Sequence, residues 1–136
     1  MKTMQKIATM IVAAVIVTVF LLGNAAQAQQ AKAKPWPVPD KDKTMKAPGK
    51  PDLATGKEMW AKHCKSCHGT KGLGDGPKSA SLKTLVPSFA DKKFKAQADG
   101  DIYYQTIVGR DEMPNFEKKI IDEADRWAVV NYIKGL

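Results

Sequence analysis

Two cysteines and a histidine stand within one short run, Cys64-Lys65-Ser66-Cys67-His68. Thiols separated by two residues lie one helical turn apart, so both sulfurs can reach one edge of a planar ligand. The histidine that follows at once then meets a metal held at that ligand's centre. This is the arrangement that attaches a c-type haem, with Cys64 and Cys67 bonding the two vinyl groups and His68 approaching the iron from the proximal side.

Three other chemistries share part of the pattern. A disulfide oxidoreductase uses the same cysteine spacing but needs a surrounding βαβ unit, for which the sequence holds no signal. Zinc takes four ligands, and beyond the cysteines only His63 and His68 are on offer, each adjacent to a cysteine in the chain and poorly able to reach the same ion. A structural disulfide suits an oxidising compartment but would leave a small domain with little core.

A haem held in this way has a second axial position to fill. His63 directly precedes Cys64 and is tethered on the attachment side. Of the six methionines, Met1, Met4 and Met10 fall in an apolar N-terminal run, and Met45 lies in a Lys/Pro-rich stretch. Met59, one turn before the cysteines, is expected to pack as core. Met113 remains, in Gly109-Arg110-Asp111-Glu112-Met113-Pro114, 45 positions beyond His68. That separation is ample for the chain to pass around a haem edge, and a soft thioether opposite imidazole raises the reduction potential. The alternative role for Met113 is ordinary loop packing.

Three helices are expected to position these residues. The first runs from about Leu53 to His63 with Asp52 as N-cap. The second covers roughly Asp101 to Val108, capped by Asp99 or Asp101 and stopped by Gly109. The third spans about Asp122 to Lys134, with acidic residues in its first turn, an apolar stripe through Trp127, Val130 and Ile133, and Gly135 at its end. Glycines and Pro77 punctuate residues 69–77, and Pro87-Ser88-Phe89 marks a further turn. No stretch alternates in the manner of a strand, and no internal repeat occurs.

The remaining sequence divides into two parts. Residues 1–28 read as an export signal: Lys2 and Lys6, an apolar run from Ile7 to Leu22, then Ala26-Gln27-Ala28 as the cleavage site. An uncleaved anchor is the other reading. Residues 29–52 hold six lysines and five prolines and are expected to form an extended linker, with Trp36 facing solvent. Residues 53–136 are then a single domain, small enough that a cofactor is the expected source of extra core.

The net charge of +8 fits either a soluble surface or docking on acidic faces of redox partners. The basic residues are not interleaved with aromatics in the manner of a nucleic-acid surface.

Gly56 with Trp60, then Cys64 to Gly69, Gly74-Asp75-Gly76-Pro77, Gly109 to Pro114, and Trp127 to Tyr132 follow one another in this order. The set resembles the class I monohaem cytochromes c over essentially all of residues 53–136. The resemblance implies an all-α class I cytochrome c fold, with about three main helices wrapped around one covalent haem c. It implies that the first and last helices cross where Gly56 meets Tyr132, flanked by Trp60 and Val129. It also implies that the Pro77 carbonyl accepts a hydrogen bond from the outer nitrogen of His68, and that His68 and Met113 are the axial ligands. The stretch from Pro87 to Phe89 is closer to bacterial cytochromes c and cytochrome subunits of respiratory complexes than to the mitochondrial type. Lys83, Tyr103, Tyr104 and Arg110 are candidates for contact with the haem propionates.

The function expected is single-electron transfer without catalysis, between respiratory or dehydrogenase partners, in the periplasm. Lys62, Lys65 and Lys71 would rim the docking face. Two rivals are a subunit anchored to the membrane by residues 1–28 and facing the periplasm, and a haem enzyme or sensor in which the sixth position is open.

Overall fold

A computed structural model of the chain describes residues 36–136. The expected export segment, residues 1–28, and the first part of the expected linker, residues 29–35, lie outside the described residues. Among the described residues six α-helices follow in order: α1 Asp40–Lys43, α2 Leu53–His63, α3 Lys65–His68, α4 Lys92–Lys95, α5 Asp99–Val108 and α6 Glu123–Lys134. A 3-10 turn at Ser79–Ser81 lies between α3 and α4. No strand occurs among the described residues, whose only β-type pairing is one antiparallel bridge between Arg110 and Met113. No helix among them is long and apolar enough to cross a membrane.

The three long helices stand close to where local signals put them. Asp52 caps α2, its carboxylate accepting from the Ala54 amide at 2.8 Å and the Thr55 hydroxyl at 2.9 Å. Asp122 caps α6 in the same way, accepting from the Ala124 amide at 2.8 Å. Glu123 and Asp125 in the first turn and Lys134 in the last complement the α6 dipole. Helix α5 starts two residues earlier than Asp101. The Asp101 carboxylate reaches back to the Ala98 amide at 3.2 Å, which moves the cap upstream and draws Asp99 and Gly100 into the helix. Gly109 ends α5 with φ +66, a conformation that costs glycine little.

Helices α2 and α6 pack on each other at Gly56. A β-carbon there would lie 2.8 Å from the Ala128 carbonyl carbon and 2.9 Å from the Tyr132 β-carbon, so only glycine lets the two backbones approach this closely. Trp60 and Val129 flank the crossing, 2 % and 0 % exposed. Burying a side chain of this size stabilises the fold by roughly 1.5–3 kcal/mol. Ile102, Ile107, Phe116 and Ile120 extend the same core towards α5 and the loop beyond it.

The segment expected to be a linker departs from that reading. Val38 is buried, Met45 and Ala47 pack on the core, and α1 lies against α5. Trp36 is half-buried, with the Arg110 guanidinium 4.5 Å above its ring, rather than facing solvent. The close approach is possible because residue 100 is glycine. A β-carbon there would clash with the Asp42 carbonyl oxygen and sit 2.7 Å from that of Lys43. Composition averaged over residues 29–52 hides this, because a few apolar side chains do the anchoring while Lys41, Lys43, Lys46 and Lys50 stay exposed.

Candidate haem site

Helix α2 runs directly into the cysteine motif. The Cys64 amide still donates to the Trp60 carbonyl at 3.0 Å, and the amides of Cys67 and His68 both donate to the Cys64 carbonyl, at 3.1 and 3.0 Å. Both thiols and the imidazole therefore stem from one continuous turn. The carbonyls at the end of this short helix would otherwise be left without partners. The glycine-rich loop folds back to supply donors: Lys78 to Ser66, Gly76 to Cys67 and Gly74 to His68, at 2.9, 3.1 and 2.9 Å. The motif is thus held at its backbone by the loop that follows it.

Cys64 is buried and Cys67 half-buried, and neither forms a disulfide. Burial, and after it the neighbouring Cys67, pushes the Cys64 thiol up to about 12. A thiol so reluctant to ionise is a poor exchanging nucleophile, unlike the attacking cysteine of a disulfide oxidoreductase. Nor does any group of three or more His, Cys, Asp or Glu side chains among the described residues converge as a metal site. The zinc reading therefore finds no ligand set.

His68 is set apart from an ordinary surface histidine. Its ring stacks on Phe89, with centroids 4.8 Å apart and planes at 26°, and lies 5.9 Å from Trp60. Phe89 is brought there by its amide donating to the Gly72 carbonyl at 2.7 Å, and Phe94 stacks on its other side. Burial lowers the His68 pKa to about 4, which holds the ring in the neutral form that binds metals. The Nδ1 atom is enclosed and has no hydrogen-bond partner. The bond implied from the Pro77 carbonyl is accordingly not formed. The ring lies flat on Phe89 instead, and Pro77 is exposed.

Met113 lies in a different segment, half-buried against the same core cluster. Its amide donates to the Arg110 carbonyl at 2.9 Å, closing the Gly109–Pro114 loop into a tight turn. Asp111 sits in that turn at φ 52, a left-handed conformation that Asp tolerates better than most residues. The loop is moored at two further points. The Phe116 amide donates to the Ile107 carbonyl at 2.8 Å, and the Glu112 carboxylate accepts from the Thr84 amide at 2.6 Å. Met59 packs against the core, as expected of it.

Of the proposed propionate contacts, Tyr103 is buried against Trp127, with ring centroids 4.3 Å apart. Tyr104 is half-buried, Lys83 is exposed, and Arg110 lies over Trp36. Sequence reasoning missed Phe89, treating it only as a turn marker. The usable signal was the one aromatic ring in the proline-marked loop between His68 and α4. Two shallow hollows of about 270 and 380 Å³ lie elsewhere, between residues 46–52 and α6, and share Trp127 as lining.

The donor set fits a haem: two thiols and a neutral imidazole on one turn, within an aromatic surround. A family model described as cytochrome c oxidase, cbb3-type, subunit III matches residues 51–133. The chain belongs to this family. No curated relative matches it. The match makes residues 51–133 a c-type cytochrome domain with the all-α class I fold. Such a domain carries covalent haem c, and Cys64 and Cys67 have the spacing that attachment uses. Membership of this family points to electron transfer rather than enzymatic turnover.

Proposed function

We propose that this protein is an exported single-electron carrier, its haem bonded through Cys64 and Cys67 and ligated by His68 and Met113. The observation that carries the reading is the one-turn grouping of two thiols with a neutral, partly enclosed imidazole. Haem bound there supplies one-electron exchange at iron. The chain's own part is to orient and to shield. The 69–78 loop fixes the turn that bears Cys67 and His68, Phe89 and Trp60 surround the imidazole, and the Gly109–Pro114 turn presents the Met113 thioether, a soft donor that carries no titratable proton. With His68 and Met113 both holding the iron, no place would be left for a substrate at the metal, which would distinguish a carrier from the open-site enzyme or sensor. Lys62, Lys65 and Lys71 are exposed around the attachment turn and suit an acidic docking face on a redox partner.

A second reading keeps the chemistry and changes the setting. The family description names an oxidase subunit, which favours a head tethered by an uncleaved N-terminal segment, at the periplasmic face of a membrane complex. The N-terminal residue of the native protein discriminates the two: Gln29 supports a free periplasmic carrier and Met1 an anchored subunit.

The test of the central proposal is the native protein's mass and spectrum. The expected result is one haem added to the polypeptide mass, resistant to acid–acetone extraction, with a weak far-red sulfur-to-iron band in the oxidised state. A polypeptide of bare mass, made where cytochrome maturation works, would overturn haem attachment. A haem protein lacking the far-red band would overturn Met113 ligation and favour the open-site rival.

A further inference from the structure

Residues 36–47 lie upstream of the family match, which begins at residue 51, yet they are packed as firmly as a part of the domain. Val38 is 8 % exposed, Met45 and Ala47 rest on the core, and the α1 backbone lies against Gly100 too closely to admit a β-carbon. Three separate anchors give this segment a fixed course. Trp36, two residues before the buried Val38, is therefore delivered to a defined place, and that place is the Arg110 guanidinium, 4.5 Å from its ring centroid.

Arg110 belongs to the Met113 turn. Its carbonyl accepts the Met113 amide at 2.9 Å, and its guanidinium lies 3.7 Å from the Asp111 carboxylate. A contact that restrains Arg110 restrains the backbone unit that carries Met113. We infer that residues 36–47 form a strap that, through Trp36 seated under Arg110, holds the Met113 turn closed and so limits release of the sixth ligand. Trp36 is in this sense a positioning residue, acting through Arg110. The consequence for ligation rests on the proposal that Met113 binds the iron, whereas the restraint on the turn does not.

Cation–π contacts at partly exposed sites shift a two-state equilibrium by about two- to five-fold, and that sets the size of the effect. The experiment uses the full-length haem-loaded protein with Trp36 intact, Trp36→Leu and Trp36→Phe. Leucine keeps apolar bulk and removes the π face, while phenylalanine keeps a ring. The first readout is hydrogen exchange at the Met113 amide, which needs no assumption about ligation. It should quicken about two- to five-fold in Trp36→Leu and return most of the way in Trp36→Phe. The second is the affinity of the ferric protein for added imidazole, which competes for an iron site freed by Met113 and should tighten by a similar factor.

Unchanged Met113 exchange in a folded Trp36→Leu protein overturns the strap. Faster exchange with unchanged imidazole affinity upholds the strap and counts against Met113 as the ligand.

Discussion

His63 stands edge-on to Phe116, with ring centroids 5.7 Å apart and planes inclined at 65°. The pair joins the last residue of α2, immediately before Cys64, to the segment three residues beyond Met113. It fixes the distance between the two parts of the chain that the haem reading needs on opposite sides of one iron. Phe116 is 5 % exposed and its amide holds the Ile107 carbonyl, so the ring is anchored from both ends.

Replacing Phe116 by alanine should therefore do more than open a cavity. The expected loss is about 3–5 kcal/mol of unfolding free energy, read by denaturant titration followed at the helical circular dichroism signal. A loss below about 1 kcal/mol would mean that the Met113 segment is not held by this contact.

Gly56→Ala tests the α2–α6 crossing. The added β-carbon meets backbone of Ala128 and the base of Tyr132, neither of which can rotate away. Overpacking of this kind costs about 1–3 kcal/mol, visible as a lowered denaturation midpoint. The normal helix preference for alanine would push the other way, so any stabilisation would show that the helices are further apart than described.

The two cysteines should differ sharply before haem is attached. In polypeptide made without haem attachment, iodoacetamide at about pH 8 should modify half-buried Cys67 first. Cys64, buried and pushed up to about 12, should react at least about ten-fold more slowly, because only the thiolate attacks. Peptide mass spectrometry over a time course measures the order. Equal rates would mean that Cys64 is not enclosed.

Asp52 supplies a pH test. Its bond from the Ala54 amide, and then that from the Thr55 hydroxyl, lower its pKa below the ordinary 3.8. A lowered carboxylate pKa in the fold means the cap stabilises fully above that ordinary value and fades as pH falls through the lowered one. Asp52→Asn keeps a capping oxygen without the titration. Between about pH 5 and pH 3 the variant should therefore lose less thermal stability than the parent. Parallel pH profiles would remove Asp52 from the acid limb.

Local chemistry made much of this architecture legible. Asp52 and Asp122 announce α2 and α6 as capping residues just ahead of apolar periodicity, and Gly109 announces the end of α5. Cys64, Cys67 and His68 are legible because their spacing is itself the chemistry. What escaped depends on contacts between distant segments. Nothing local to Phe89 says that it will stack on His68, since that depends on its amide finding the Gly72 carbonyl. Residues 36–47 look like tether because lysine and proline dominate them, and the decisive residue, Gly100, lies more than fifty positions downstream. The start of α5 moved for a smaller reason, the backward reach of the Asp101 carboxylate. The implied Pro77 bond failed because ring stacking, which no motif encodes, sets how the imidazole lies.

The bare α-carbon of Gly100 has a meaning for relatives as well. Any side chain at the equivalent position would evict the peptide units at residues 42 and 43, so a family member with alanine or larger there must send its leading segment along another route. Conversely, selection to keep hydrogen at that position is expected only where an upstream strap exists to lie across it. A single site inside the matched domain thus reports on the path of a segment outside it.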